Sequence, residues 1–356
     1  MKVNENFLKD YLNSNSPTGF EYQLGGQKLW MDYISQFVDK VEIDNYGTAY
    51  GIMGNMKSDF KVVIEAHADE ISWFVNHIDS KGFIKVIRNG GSDAQIAPSM
   101  RVMLWGENGP VEGIFGHPAI HISYRKKDVD LDSIFIDVGA SSKQEVIDMG
   151  INVGTVATFT DGFMKLGKDF YTGRALDNRI GGFMIAEVAR KLKEKGKELP
   201  FKLYIVNSVQ EEVGLYGATM ITETIKPNVA IVTDVCHETS APCYNASKEG
   251  EHIAGQGGVI TRAPAVHNIL RKLVLDTATK KKIPFQLAAS SRSTGTDTDA
   301  FAFSNGGVPS VLISLPLKYM HTCVETTHKD DVKNVIKLIY HTLLNIEENH
   351  NFKYNA

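Results

Sequence analysis

Five residues of this chain have side chains that together suit a site for two metal ions. They are two histidines and three carboxylates, spread along the sequence. Histidine nitrogens and carboxylate oxygens are common ligands of hydrolytic metal centres. With one histidine available for each ion, a shared carboxylate can bridge the pair, which suits hydrolysis at two metals. The sequence therefore predicts a dinuclear site formed by His67, Asp177, Glu212, Asp234 and His321.

Two further acidic residues stand beside predicted ligands. Glu211 directly precedes Glu212, so one carboxylate can bind metal while its neighbour accepts a proton from the attacking water. Asp69 follows His67 by two residues and is placed to hold the second ring nitrogen of that histidine, as carboxylates often do for metal-binding histidines. We predict that Glu211 is the general base and that Asp69 orients His67.

Several of these residues also have an interpretation without a metal. A neutral histidine at the end of a strand, such as His67, satisfies itself easily through the backbone. Asp177 stands at the predicted start of a helix, where aspartate is a preferred cap. Glu211 and Glu212 could be exposed loop acids. The repeated placement after apolar segments favours the metal site, because buried acids are costly without a compensating charge.

Strand-like segments lead to most of the predicted ligands. The run KVVIEA ends before His67, FKLYIVNSV leads to Glu211, VAIVTDV contains Asp234 and SVLISLPLKYM precedes His321. Strands alternating with helical patterns predict an α/β fold with a mostly parallel sheet flanked by helices. Ligand sites form at the carboxyl ends of such strands. The predicted strands are 41–43, 50–53, 61–66, 201–209, 229–235, 284–289 and 309–315, and the predicted helices are 6–12, 25–38, 177–195, 264–282 and 330–348.

The segment from residue 71 to residue 164 has a different pattern. Short alternating strands are separated by Gly, Asn and Asp turns, and 143–149 alone has a helical pattern. Many short strands with turn signals are typical of a barrel or a sandwich. We predict an inserted small β-barrel-like domain at 71–164 and a discontinuous catalytic domain formed by 1–70 and 165–356.

The composition is that of an ordinary globular protein. The 356 residues are 43% hydrophobic and 22% charged, with a formal net charge of −4, so no nucleic-acid-binding surface is expected. No apolar run approaches the roughly 20 residues that span a bilayer, and the N-terminal segment lacks the apolar core of a signal peptide. Three scattered cysteines predict a cytoplasmic location without a disulfide framework. The spacing of Cys236 and Cys243 favours packing thiols over a metal site.

Five short motifs carry a resemblance to a known family. They are AHADE with His67, ALDNR with Asp177, QEEVG with Glu211 and Glu212, VTDV with Asp234, and KYMHT with His321. Through these motifs, and over nearly its whole length, the chain resembles the M42 family of metallo-aminopeptidases. That family includes the tetrahedral aminopeptidases and the glutamyl aminopeptidases.

The resemblance implies a role for each residue. Asp177 would bridge two divalent ions, with zinc expected first and cobalt or manganese as alternatives. His67 and Glu212 would complete the shell of one ion, and Asp234 and His321 that of the other. The β-rich insertion would be a dimerisation domain, and dimers would assemble into a homo-oligomer such as a tetrahedral dodecamer.

These observations predict a metal-dependent aminopeptidase that removes N-terminal residues from short peptides. One alternative is another dinuclear amide hydrolase, such as a carboxypeptidase or an N-deacylase. A polysaccharide hydrolase is disfavoured because glycosidases normally use paired carboxylic acids, and a non-catalytic assembly protein is a further alternative. The polar segment 294–299 either lines the substrate cleft or caps a helix.

Overall fold

The computed structural model describes residues 2–121, 129–348 and 350–355, so parts of the predicted domain ranges lie outside the described residues. The strands are β1 (Lys40–Ile43), β2 (Ala49–Gly54), β3 (Lys61–His67), β4 (Ser72–Ile78), β5 (Ile84–Asn89), β6 (Arg101–Gly106), β7 (Gly109–Phe115), β8 (Ile136–Asp137), β9 (Val156–Phe159), β10 (Met164–Leu166), β11 (Phe170–Gly173), β12 (Lys202–Ser208), β13 (Val229–His237), β14 (Gly258–Arg262), β15 (Phe285–Ala289), β16 (Ser310–Leu317) and β17 (Glu325–His328). The helices are α1 (Glu5–Asn13), α2 (Gly26–Ile34), α3 (Lys143–Asp148), α4 (Leu176–Glu194), α5 (Tyr216–Ile225), α6 (Ala246–Glu249), α7 (Asn268–Lys281), α8 (Thr298–Ala302) and α9 (Lys329–Leu343), and a short 3₁₀ turn covers Glu211–Val213.

An eight-stranded sheet positions the candidate site, with the order β1-β2-β12-β3-β13-β16-β14-β15. The four central strands β12, β3, β13 and β16 run parallel to one another. Towards the edges, β1 pairs with β2, β2 with β12, and β14 with β16 in antiparallel fashion. The predicted α/β fold with helices beside a mostly parallel sheet is confirmed, and the antiparallel pairs lie outside its centre.

Helices bury the central strands on both faces, which explains why their sequences are apolar runs without alternation. Each residue of β3 from Val62 to His67 is buried, and α4 packs against both β3 and β13. The indole N–H of Trp30 donates to the carbonyl of Gly182 at 2.9 Å, which ties α2 to α4. None of the helices within the described ranges is long and apolar enough to cross a bilayer.

Six further strands close into a barrel in the order β4-β5-β8-β7-β6-β9. The barrel has a hydrophobic cluster of its own. In this cluster the ring of Trp73 lies 5.5 Å from that of Phe115 and 6.4 Å from that of Phe159. The barrel of the predicted fold class is therefore confirmed, whereas the exact division into domains at 71–164 stays a prediction.

Some elements differ from the sequence prediction. β14 was not predicted, and neither was the three-stranded sheet of β10, β11 and β17. All three residues of β10 are exposed, so this strand carries no alternating pattern that could be recognised. α2 ends at Ile34 instead of residue 38. These differences lie in short elements, where a few residues provide too little periodicity for an assignment.

Candidate metal centre

The predicted ligands converge at one edge of the large sheet. His67 is the last residue of β3, Asp234 lies near the end of β13, and the turn with Glu211 and Glu212 follows β12. A turn after β16 carries His321. Because the carboxyl ends of parallel neighbouring strands meet at one edge, these side chains come together there. Asp177 joins them from the start of α4.

The first half of the site surrounds the buried ring of His67. Its Nε2 atom lies 3.3 Å from an oxygen of Asp177 and 3.8 Å from an oxygen of Asp234. Potential ligand atoms of these three residues all lie within 4.8 Å of one another, which is close enough to hold one metal ion. Glu211 approaches the same nitrogen to 3.9 Å, so the predicted base borders this half of the site.

The second half of the site uses the other oxygen of Asp177. Nε2 of His321 lies 3.3 Å from Oδ2 of Asp177 and 3.5 Å from Oε2 of Glu212, and these three residues form a second group within 4.8 Å. A third group of closely spaced ligand atoms joins His67 to Glu211 and Glu212. Asp177 presents one oxygen to each histidine, and the pairing of the remaining ligands that the family resemblance suggested stays a prediction.

Asp177 occupies a break at the start of α4. Its φ and ψ angles of −75° and 114° are not helical, and neither are those of Asn178. The peptide bond between the two residues is cis. The Asp177 carboxylate lies 3.3 Å from Nε2 of each histidine. None of the hydrogen bonds of the described residues joins this carboxylate to a backbone N–H of α4, so Asp177 does not cap the helix through its side chain.

Asp69 contacts three parts of the site at once. Its carboxylate accepts hydrogen bonds from the backbone N–H groups of Glu211 at 3.0 Å and Glu212 at 3.2 Å, and from the hydroxyl of Thr18 at 2.9 Å. Its Oδ1 atom also lies 3.2 Å from Nδ1 of His67, although that nitrogen is not aligned for a hydrogen bond. Asp69 thus lies beside His67, as the sequence suggested, and it additionally fixes the backbone of the acidic pair.

Burial is the largest influence on the ionisation of the acids. It raises the pKa of Glu211 to about 10 and that of Asp234 to about 8, although His67 opposes both shifts. Burial, and then the charge of Asp177, raise the pKa of Glu212 well above its usual range. Burial would also raise the pKa of Asp177, but its contacts with His321 and His67 outweigh burial and hold that pKa well below its usual range.

The two histidines respond to the carboxylates around them. Burial by itself would lower the pKa of His67, but Glu211, Asp177 and Asp69 outweigh it and raise this pKa well above its usual range. The pKa of His321 is also raised, because Asp177 overcomes the effect of burial. Metal binding at such ligands would release protons, because histidine and carboxylate ligands bind metal in their deprotonated forms.

The donor set fits divalent cations. Buried carboxylates at such short separations repel one another, and positive charge bound between them would remove that repulsion. One imidazole and one unshared carboxylate are available on each side of Asp177. Mixed nitrogen and oxygen ligands of this kind suit zinc, cobalt and manganese alike.

A cavity of about 390 Å³ opens beside these ligands. Thr294, Gly295 and Thr296 line it, so part of the polar segment 294–299 borders the cleft. The same loop is held by Asp299, whose carboxylate accepts from the backbone N–H of Thr294 at 2.9 Å. Asp297, the N-cap residue of α8, makes no side-chain capping hydrogen bond, and a role of the segment in substrate binding stays a prediction.

Sequence reasoning missed several residues near the site. Glu325 accepts hydrogen bonds from the backbone N–H groups of Asp177 at 2.9 Å and His321 at 2.8 Å. His237 and His252 also line the cavity. The one signal for Glu325 is an acid four residues after a predicted ligand, which is weak because acids are common in loops.

A glycine loop of the barrel touches the second half of the site. A Cβ atom on Gly91 would lie 2.5 Å from Nδ1 of His321, and one on Gly90 would lie 3.2 Å from Cβ of Glu212. A side chain at Gly91 would therefore overlap the imidazole. The loop after β5 therefore lies against the site at Gly90 and Gly91, and at Gly91 only glycine avoids overlap with His321.

The cysteines are free and take no part in the metal-capable groups of the described residues. Cys236 is half-buried and borders the cavity, Cys243 is exposed and Cys323 is buried. The exposure of Cys243 does not match a packing thiol, so the packing interpretation of the Cys236 and Cys243 spacing stays a prediction.

Comparison with known proteins assigns the chain to a family. A family model described as M42 glutamyl aminopeptidase matches residues 47–338. The lysyl aminopeptidase of Pyrococcus furiosus is 34% identical over 341 residues, which cover 94% of this chain and 95% of that protein. The crystal structure of a TET aminopeptidase from a marine sediment archaeon of the Thaumarchaeota has a TM-score of 0.90 at 28% identity and covers 96% of both chains. The TET1 peptidase of Pyrococcus horikoshii has a TM-score of 0.82 at 27% identity, covering 95% of this chain and 98% of its own.

The chain belongs to the M42 family of aminopeptidases, because the family model spans most of its length and the Pyrococcus furiosus relative covers nearly all of it. It is therefore a hydrolase that acts on peptide bonds. The resemblance drawn from the five motifs is confirmed.

Proposed function

We propose that this protein is a dinuclear aminopeptidase that removes N-terminal residues from short peptides. The observation that carries the proposal is the position of Asp177, whose two carboxylate oxygens each lie 3.3 Å from a different histidine. A carboxylate arranged in this way is suited to bridge two ions. Membership in an aminopeptidase family supports the reaction class.

We assign His67, Asp177 and Asp234 to one ion, and Asp177, Glu212 and His321 to the other, following the two of the three groups of closely spaced ligand atoms that share Asp177. When bound, such ions lower the pKa of water and polarise the carbonyl group that is attacked. Zinc is the first expectation for the metal, and cobalt or manganese suit the same ligands.

Glu211 is the proposed general base. Its carboxylate lies 3.9 Å from Nε2 of His67 and borders the cavity, so it faces the place where water and peptide would meet. Glu211 takes a proton from the attacking water and returns it to the leaving amine. Burial raises the pKa of Glu211 to about 10, and positive charge nearby would bring that pKa back towards neutrality. A base with a pKa near the working pH can both accept and release the proton.

Asp69 is the proposed positioning group for this base. It binds the backbone N–H of Glu211 at 3.0 Å and is itself held by the hydroxyl of Thr18. Its other neighbour is Nδ1 of His67 at 3.2 Å. The buried carboxylate of Asp69 therefore positions the proposed base Glu211 relative to the proposed metal ligand His67.

We also propose that the barrel, residues 71–164, is a dimerisation unit inserted into the catalytic domain of residues 1–70 and 165–356. The barrel has its own core and exposes the apolar side chains of Ile87 and Ile114. The Pyrococcus horikoshii TET1 peptidase assembles into a tetrahedron or a large octahedral shell, which supports a homo-oligomer here. Native mass spectrometry would measure the assembly, and a strict monomer would contradict this proposal. A cytoplasmic location remains our prediction from cysteine usage.

The catalytic proposal is tested with aminoacyl p-nitroanilides, each paired with its N-acetylated twin. The protein is assayed as purified, after removal of metal by a chelator, and after addition of Zn²⁺, Co²⁺ or Mn²⁺. We expect cleavage of the free-amine substrates alone, lost on chelation and restored by metal. The panel includes basic, acidic and apolar residues, so it also reports the preferred N-terminal side chain.

The same panel separates the alternatives. Cleavage of the acetylated twins would favour an N-deacylase or an endopeptidase, and cleavage of N-blocked peptides from their carboxyl end would favour a carboxypeptidase. No cleavage of any amide substrate by protein loaded with two ions would contradict the aminopeptidase proposal.

A further inference from the structure

Glu325 links two segments that carry ligands of the second half of the metal centre. It is the first residue of β17 and is 2% exposed. Its Oε2 atom accepts from the backbone N–H of Asp177 at 2.9 Å, and its Oε1 atom accepts from the backbone N–H of His321 at 2.8 Å. One carboxylate therefore joins two places in the fold that are far apart in sequence, since Asp177 and Glu325 are separated by 148 residues.

Both of these segments lie outside regular secondary structure. Asp177 lies in the non-helical break at the start of α4. His321 has a φ of 62°, in the left-handed region that a residue with a side chain rarely adopts. Such backbone conformations persist where the surroundings hold them in place. The positions of both ligands therefore depend on individual hydrogen bonds such as those from Glu325.

A metal centre is sensitive to these positions. Ligand distances tolerate deviations of only about 0.2 Å, and the Asp177 and His321 side chains lie side by side at 3.3 Å. A carboxylate can accept on both oxygens, whereas a side-chain amide offers one acceptor and one donor group. Glu325 uses one oxygen for each ligand segment, so both of its acceptors are in use.

We propose that Glu325 is a positioning residue of the metal centre, which holds the bridging ligand Asp177 and the terminal ligand His321 in register by binding their backbone amides. The inference rests on the proposed two-metal function of the site. Asp69 binds the amides of Glu211 and Glu212 in the same manner. The site thus has two buried carboxylates that bind the backbone of ligand-bearing segments.

The test is metal titration of the full-length Glu325→Gln variant. The substitution keeps the size of the side chain but turns an NH₂ group towards one of the two amides. Stripped protein is titrated with Co²⁺ and followed by the visible absorption of the bound ion. The wild type should bind two ions, and the variant should bind one normally and the other about 10–100-fold more weakly, the range expected when a contact that supports a metal ligand is lost. Excess Co²⁺ should restore turnover.

Asp331→Asn is the matched control. Asp331 is also fully buried, and its two oxygens accept from the backbone amides of Gly255 at 2.6 Å and Gly257 at 2.7 Å. This variant loses the same kind of contact but in a loop that carries none of the proposed ligands, so it should bind both ions with wild-type affinity. If Glu325→Gln does not fold, Glu325→Asp is titrated instead, because the shorter side chain cannot reach both amides and should weaken the same ion.

The outcomes are distinguishable. Two ions of wild-type affinity in the Glu325 variant would overturn the positioning role, and so would an equal loss of metal in the Asp331 variant, which would indicate general destabilisation. A wild-type protein that binds fewer than two ions would overturn the proposed function itself.

Discussion

Replacing Gly91 by alanine should disable one metal position while leaving the fold intact. The added Cβ would lie 2.5 Å from Nδ1 of His321, and the imidazole would have to move by about 0.9 Å to reach 3.4 Å, where ordinary contact begins. The His321 side chain is 33% exposed, so it has room to move without disturbing the core. A histidine nitrogen binds zinc at about 2.0–2.1 Å with a tolerance of about 0.2 Å. A displacement of this size therefore removes His321 as a ligand.

The expected cost is a weakening of one ion by at least about 10–100-fold, which corresponds to about 1.4–2.8 kcal/mol. Isothermal titration of the metal-free Gly91→Ala variant with Co²⁺ measures the affinity for each ion. The metal content of dialysed samples gives an independent check. Gly139→Ala is the control: Gly139 also lies in the barrel, has a φ of 77° and has no heavy atom within 4 Å of the added Cβ. It should lose stability through its backbone, by about 1–2 kcal/mol, and keep both ions. Unchanged affinity for both ions in Gly91→Ala would refute the reasoning.

Two further predictions concern the acids. Glu211→Gln should retain both ions while kcat falls about 10²–10⁴-fold, because an amide cannot accept the proton of the attacking water. Both kcat and metal content are measured on one sample. A nearly normal kcat would show that Glu211 is not the base. Metal-free protein should lose stability as the pH rises from about 5 to 8, at about 1.4 kcal/mol per pH unit for each extra proton that the folded state holds. The reason is that burial raises the pKa of Asp234 to about 8, so the folded state keeps a proton that the unfolded state has released, and the raised pKa of His67 acts in the same direction above its usual value. The lowered pKa of Asp177 acts only at more acidic pH. Thermal melts of chelated protein across this range test the sign, and a melting temperature that climbs with pH would contradict it.

The ligands at strand ends could be predicted because the strands before them have a recognisable sequence pattern. The run before His67 is apolar and β-branched, as a strand buried on both faces must be, and the structure ends β3 at His67. The same reasoning placed Asp234 in β13. In both cases a local pattern and a polar residue at its end were sufficient.

Other parts of the site depend on contacts that no local pattern contains. The break at Asp177 looks like a helix cap in the sequence, and only its neighbours in space show that it is not one. The pairing of ligands depends on the directions in which side chains leave β3 and β13, which sequence order does not reveal. Glu325 contacts Asp177 across 148 residues of sequence, so its only sequence signal was a weak one, and Gly91 acts through the absence of a side chain, which gave no signal.

The loop with Gly90 and Gly91 makes the surroundings of the two proposed metal positions unequal. Gly90 and Gly91 bring the barrel against Glu212 and His321, whereas His67 and Asp234 belong to strands of the large sheet. Any tilt of the barrel relative to the sheet would reach one ion before the other. If a neighbouring subunit in an assembly shifted the barrel, the shift would therefore move Glu212 and His321 before His67 and Asp234. The occupancy of the ion at Glu212 and His321 would then depend on the position of the barrel.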